Sequence, residues 1–183
     1  RQAVKTTLSG PDHQKRQAAY DLALNELKAG HQLYVICPRI DDPDPEQARA
    51  LQVKSAKAEY KKLKDKIFPD WPVGLLHSKL KQAKKDETMA DFVSGRLKIL
   101  VATSMIEVGV NVPQATVIII EGADRFGLAQ LHQLRGRVAR STNQAYCFLF
   151  TDSQNEYSFQ RLQALIKAKS GFDLAEMDLS LRG

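Results

Sequence analysis

The sequence predicts an α/β fold: a parallel sheet flanked by helices on both faces. Short apolar runs rich in β-branched residues alternate with stretches of helical periodicity, the pattern of successive βαβ crossovers. Two of these runs, Ile99-Leu100-Val101-Ala102 and Val117-Ile118-Ile119-Ile120, are apolar at every position. Strands covered by helices on both sides need that, whereas an antiparallel sheet with one wet face would alternate. A length of 183 residues suits one such domain with a small appendage.

Taken in order, Tyr20, Ala23, Leu24 and Leu27 recur at helical spacing, and Gly30 offers a stop after Ala29. The first predicted strand is Leu33 to Cys37. Asp41-Asp42-Pro43-Asp44-Pro45 then breaks the chain, with Asp44 placed to cap a helix starting at Pro45 and Gln47 at the capping-box position. Val53, Ala56, Tyr60, Leu63 and Ile67 form the apolar stripe of that helix, which Phe68-Pro69-Asp70-Trp71-Pro72 ends. Strands follow at Val73 to Leu76, Lys98 to Ala102, Thr116 to Ile120 and Ala145 to Phe150. Helices are predicted over Gln82 to Val93, burying Met89, Phe92 and Val93 before Gly95, then around Leu128 to Val138 and Tyr157 to Ala168. No internal repeat or low-complexity linker interrupts this plan.

With 43% hydrophobic and 26% charged residues the chain has the composition of a folded protein. No apolar run approaches the length of a membrane span, and the opening residues do not read as a secretory signal, so a cytosolic protein without a membrane partner is expected. The first residue is not methionine and the chain stops at Arg182-Gly183, as expected of a piece of something longer. Cys37 and Cys147 sit in apolar runs without metal or redox spacing and read as core residues. The net charge of +6 is concentrated in Lys61, Lys62, Lys64 and Lys66 and in Lys79, Lys81, Lys84 and Lys85. These lysines form either a solvated helix face or a contact surface for a polyanion.

Ligands of open α/β sheets collect at the carboxyl ends of the strands, which here selects Pro38 and Arg39, His77 and Ser78, Thr103 to Asn111, and Glu121 to Arg125. Beyond them, Gln133-Leu134-Arg135-Gly136-Arg137-Val138-Ala139-Arg140 carries three arginines within six residues. Planar, permanently charged guanidinium groups suit triphosphate recognition, although a structural role or general phosphate binding is the alternative.

Together these segments carry a family resemblance. Ile99 to Pro113, with Thr103-Ser104-Met105-Ile106-Glu107-Val108-Gly109-Val110-Asn111, resembles motif V of superfamily 2 helicases, and Gln133 to Arg140 resembles motif VI. Val35-Ile36-Cys37-Pro38 resembles motif IV, and Lys5-Thr6-Thr7 resembles the exit from a first motor lobe. The run Arg125-Phe126-Gly127-Leu128-Ala129-Gln130-Leu131-His132-Gln133 narrows the resemblance to RecG-type branched-DNA helicases and their relative, the transcription-repair coupling factor. Gly171 to Gly183 resembles the start of the translocation motif that follows the second motor lobe in both.

The resemblance implies a RecA-like second lobe over residues 1–153 and a helical extension over 154–183. It implies Arg137 and Arg140 as arginine fingers, Gln133 placing phosphate or water, and Glu107, Gly109 and Asn111 near the nucleotide. Thr103, Arg39, His77 and Lys79 would contact DNA, and Arg182 would couple turnover to DNA movement. Two of these residues keep other readings: His77 as a strand-end core histidine, and Glu107 as an ordinary ion-pair partner. Alanine stands at position 139 where the family has glycine, so the turn there must suit a Cβ. Asn111 stands where many members carry aspartate, which keeps an acceptor and loses the charge.

No Gly-x-x-x-x-Gly-Lys-Ser/Thr loop and no metal-binding acidic box occur in the chain. ATP with Mg²⁺ is therefore expected to be held mainly by the N-terminal RecA-like lobe of the same polypeptide. The expected partner is branched or forked DNA, the expected state a monomer in the bacterial cytoplasm at the nucleoid. The competing readings are the translocase lobe of a coupling factor and a non-catalytic nucleic-acid-binding module.

Overall fold

The computed structural model describes residues 3–38, 40–103, 111–139 and 142–168, together with residues 173, 176, 179 and 180. Six strands form one sheet: β1 (Lys5–Ser9), β2 (Gln32–Ile36), β3 (Val73–Leu76), β4 (Ile99–Ala102), β5 (Ala115–Ile120) and β6 (Tyr146–Phe150). Their order is β1-β6-β5-β2-β4-β3, and every neighbouring pair is parallel. The five strands expected from the sequence are all present. The sixth, β1, forms one edge beside β6 with Thr6 opposite Cys147. Its sequence, Lys-Thr-Thr-Leu-Ser, alternates between exposed and partly covered positions and lacks the apolar run that marks the central strands.

Among the described residues, the α-helices that cover the sheet are α1 (His13–Lys28), α2 (Pro45–Lys62), α3 (Gln82–Val93), α4 (Leu128–Arg135) and α5 (Glu156–Lys167). Because successive strand residues point to opposite faces, the wholly apolar central strands feed two cores. Leu33, Val35, Ile99, Val101, Val117 and Ile119 pack with Ala19, Ala23 and Leu27 of α1 and with Ala56 of α2. Tyr34, Ile36, Leu100, Ala102, Ile118 and Ile120 pack with Phe92 of α3, Leu128 and Leu131 of α4, and Leu162 and Leu165 of α5. Helix α5 therefore shares the core of the sheet it follows. Among the described residues no helix is long and apolar enough to cross a membrane.

Helix boundaries follow local chemistry. Asp44 caps α2 by accepting the Glu46 amide at 3.0 Å, as expected. The reciprocal bond from Gln47 does not form, because the Asp44 amide donates instead to Asp42 Oδ1 at 2.9 Å. Helix α2 runs into a π-helical turn over Leu63–Ile67 that seats Leu63 and Phe68 in the core. Helix α3 has the expected bounds and stops at Gly95, whose φ of 84° suits glycine. Val93, expected to be buried, is 45% exposed. Thr88 and Phe92 carry the buried face of α3, and a further 100° of helical rotation carries Val93 off it.

Gly122, just past β5, adopts a φ of +56°, and a Cβ built there would lie 2.5 Å from Pro38 Cβ. Gly122→Ala is accordingly expected to combine left-handed strain with a clash against a rigid ring and to cost roughly 1–3 kcal/mol. Urea denaturation of the two proteins checks this, and an unchanged midpoint would contradict it.

Candidate functional site

The parallel sheet delivers its strands' carboxyl ends to one edge, where those of β3 and β4 and the segment after β2 open a cleft of about 770 Å³. Its floor comes from Leu76 and His77 after β3 and from Ala102 and Thr103 at β4. The loop from Ile40 to Pro43 and the first turns of α2 close one side, Gln82, Lys85 and Met89 of α3 the other, and Gln130 of α4 reaches the rim. Both signs of charge line it, with Arg49 and Lys85 near Asp41, Asp42 and Asp86.

Two residues anticipated as DNA contacts, Thr103 and His77, meet in this cleft although 103 and 77 lie on different strands. Thr103 is buried, and its amide donates to Leu76 O at 3.2 Å, which ties the end of β4 to β3. His77 is also buried, and its Nδ1 accepts the Lys79 amide at 3.1 Å. Burial first, then the charges of Lys57, Lys85 and Lys79, hold the ring below its ordinary pKa. The ring is thus neutral at pH 7, with its proton on Nε2, which finds no partner among the described residues. His77 is at once a strand-end core residue and a donor at the cleft. Lys79 is exposed in the turn that follows.

A second group lies on α4 and the 3₁₀ turn Gly136–Val138 that extends it. Gln133 is exposed and Arg137 half-buried, four residues apart in sequence. Their donors suit an oxygen-rich anion. Ala139, after the turn, has φ −90° and ψ 14°, a right-handed conformation open to alanine. Asn111 is exposed on the approach to β5.

Arg135, the first arginine of the cluster, turns the other way. It is 9% exposed and donates from Nη1 to Leu165 O at 2.7 Å and from Nη2 to Ala168 O at 3.4 Å. Its Nη2 also meets His132 Nδ1 at 3.2 Å, and burial and the Arg135 charge keep that histidine below its ordinary pKa. The guanidinium therefore caps the orphan carbonyls at the end of α5. The signal was present in the spacing: Leu131 and Arg135 are four residues apart, on the buried stripe of α4. The three arginines thus do not form one phosphate-facing cluster. Arg39, Glu107, Gly109, Arg140 and Arg182 lie outside the described residues.

Glu121, at the end of β5, was not singled out beyond its strand-end position. Burial, then the charge of Glu59, raise its carboxyl pKa to about 7.

Residues 14–142 match the helicase conserved C-terminal domain. The chain belongs to that family. Members of the helicase C-terminal domain family that resemble it include the ATP-dependent DNA helicase RecG of Synechocystis, 47% identical over 92% of this chain and 20% of that protein. The structure of a RecG bound to a three-way DNA junction superposes with a TM-score of 0.79 at 38% identity, over 98% of this chain and 22% of that one. Domain 2 of the DEAD-box helicase Mss116p, solved with an RNA duplex, gives a TM-score of 0.66 at 19% identity over 87% of this chain and 59% of that one, a likeness of fold alone. The RecA-like lobe expected from the sequence is thus the fold of this helicase C-terminal domain. The chain spans only about 20% of the length of the Synechocystis relative.

Proposed function

We propose that this chain is the C-terminal motor lobe of an ATP-dependent helicase of the RecG type that acts on branched DNA. The observation that carries the reading is the likeness to a RecG bound to a three-way junction, 38% identical and covering 98% of this chain. In this reading residues 1–153 form the lobe and 154–183 the helical extension and the start of the translocation motif. DNA phosphates run along the strand-end surface, against Thr103, His77, Lys79 and Arg39. Such contacts fix position without reading sequence, and affinity falls as salt displaces them.

On the neighbouring side, Gln133, Arg137 and Arg140 face the triphosphate of ATP, with Glu107, Gly109 and Asn111 beside the nucleotide. The donor set fits: a triphosphate offers acceptors only, and Gln133 is exposed on α4 with Arg137 half-buried in the turn that follows. The bound nucleotide with Mg²⁺, held mainly by the N-terminal lobe, supplies a cleavable phosphoanhydride. Arg137 and Arg140 contribute positioned positive charge where negative charge builds. The extension carries the resulting movement to the duplex through Arg182. The intact protein works as a monomer in the bacterial cytoplasm at the nucleoid.

The test uses the intact polypeptide and a fluorescently labelled three-way junction. ATP-dependent strand separation is expected, while the 183-residue chain alone shows no steady-state ATP hydrolysis. An intact protein that binds the junction but neither hydrolyses ATP nor separates strands would leave only a binding module.

A further inference from the structure

Glu59 and Glu121 come from positions 62 residues apart in sequence, and the fold makes them electrostatic neighbours, each with its Oε1 buried and without a hydrogen-bond partner. Two ionised carboxylates side by side repel and have no proton to join them, whereas one shared proton removes the repulsion and supplies the missing donor. Around them the cations are few. Lys62 Nζ lies 3.0 Å from Glu59 Oε2, one turn along α2, with 43% of its side chain exposed and only 14% of the glutamate's. Arg16 is already engaged by Gly10 O, Thr151 O and Asp152. The remaining neighbours stay neutral, since burial pushes the Tyr20 hydroxyl and the Cys37 thiol far up. Two negative charges beside one half-exposed ammonium leave an excess of one, in a place where Oε1 of both glutamates is buried without a partner.

We propose that Glu59 and Glu121 share a single proton at neutral pH and through it fasten helix α2 to the carboxyl end of β5. The pair is a positioning device. Glu121 continues the sheet by donating its amide to Ile36 O at 2.9 Å, and the next residue, Gly122, rests against Pro38. Fixing Glu121 therefore fixes Pro38 after β2 and the 3₁₀ turn Ala123–Arg125 that leads into α4. Loss of the proton sets two carboxylates against each other and loosens α2 from the sheet edge.

The pH dependence has a defined sign. A carboxyl whose folded pKa is raised stabilises the fold fully below its unfolded value, about 4.3, and loses that contribution as pH rises through the folded value. The folded value here is about 7, so the chain loses stability between pH 5 and 8.

The experiment follows the glutamate side-chain carboxyl carbons of the 183-residue chain by NMR from pH 3 to 9, alongside thermal unfolding. One carboxyl is expected to titrate near neutrality and to vanish from the spectrum of Glu121→Gln. The wild-type Tm is expected to fall by roughly 5–10 °C from pH 5 to 8. Glu121→Gln, whose amide replaces the proton as donor, is expected to flatten that fall and to match or exceed the wild type at pH 8. Glu59→Gln provides the second variant and should return the Glu121 titration towards the ordinary range. All glutamates titrating below pH 5, or an equal fall of Tm in Glu121→Gln, would overturn the proposal. Neither result bears on whether the intact protein unwinds DNA, so this proposal and the helicase reading fail separately.

Discussion

Arg137→Ala in the intact polypeptide is expected to keep nucleotide binding and to lose ATP turnover by about a thousandfold or more. The expectation rests on where the side chain begins. Arg137 sits in the 3₁₀ turn after α4, half-buried, and is not among the buried residues Leu128, Leu131 and Leu134 that hold α4 to the sheet. Truncating it should leave the fold standing and remove a positioned charge. Binding survives because most contacts to the nucleotide belong to the other lobe in this reading. Steady-state hydrolysis and equilibrium binding of a fluorescent nucleotide separate the two effects. Wild-type turnover in the variant would remove Arg137 from the reaction.

Arg135→Ala, two residues away, is expected to do the reverse: to damage the fold, by roughly 2–4 kcal/mol. Its guanidinium is buried and satisfies two carbonyls, Leu165 O and Ala168 O, at the end of α5. Truncation would leave both buried acceptors unmet. Lysine is expected to recover little, because one ammonium on a flexible stem cannot reproduce a planar fork reaching two carbonyls at once. Urea denaturation measures the loss, and amide hydrogen exchange in α5 shows whether that helix loosens first. A midpoint within error of the wild type in Arg135→Ala would show that the carbonyls are satisfied some other way.

The contrast between Arg135 and Arg137 also shows what a linear reading can reach. The fold was legible where one physical demand dominated. Apolar runs such as Val117 to Ile120 suit central strands covered on both faces, and Asp44 before Pro45 suits a capped helix start. β1 escaped because an edge strand needs no apolar run: its order comes from the ladder to β6, a partner some 140 residues away. Capping escaped in part because Asp42 competes for the Asp44 amide that Gln47 was expected to satisfy.

The candidate site was legible as a set of strand ends, since the α/β rule names those positions without coordinates. Which way a side chain turns was not. Arg135 belongs to the buried stripe by its spacing from Leu131, yet its charge suggests the surface, and only the waiting carbonyls of α5 resolve the conflict. The convergence of Glu59 with Glu121 had no sequence signal, because two glutamates far apart in a charged chain are ordinary.

The edge position of β1 has a consequence for how the molecule is made. Among the described residues the strand Lys5–Ser9 has one ladder neighbour, Tyr146–Phe150, the strand latest in sequence. On the ribosome β1 must emerge and wait for nearly the whole domain before it can pair, while β2 to β5 can assemble ahead of it. Sheet closure across such a separation carries a large loop entropy and is a late event. Lys5, Thr6, Thr7 and Ser9 suit that wait, since a segment that stays unpaired until its partner is made is safer polar than greasy.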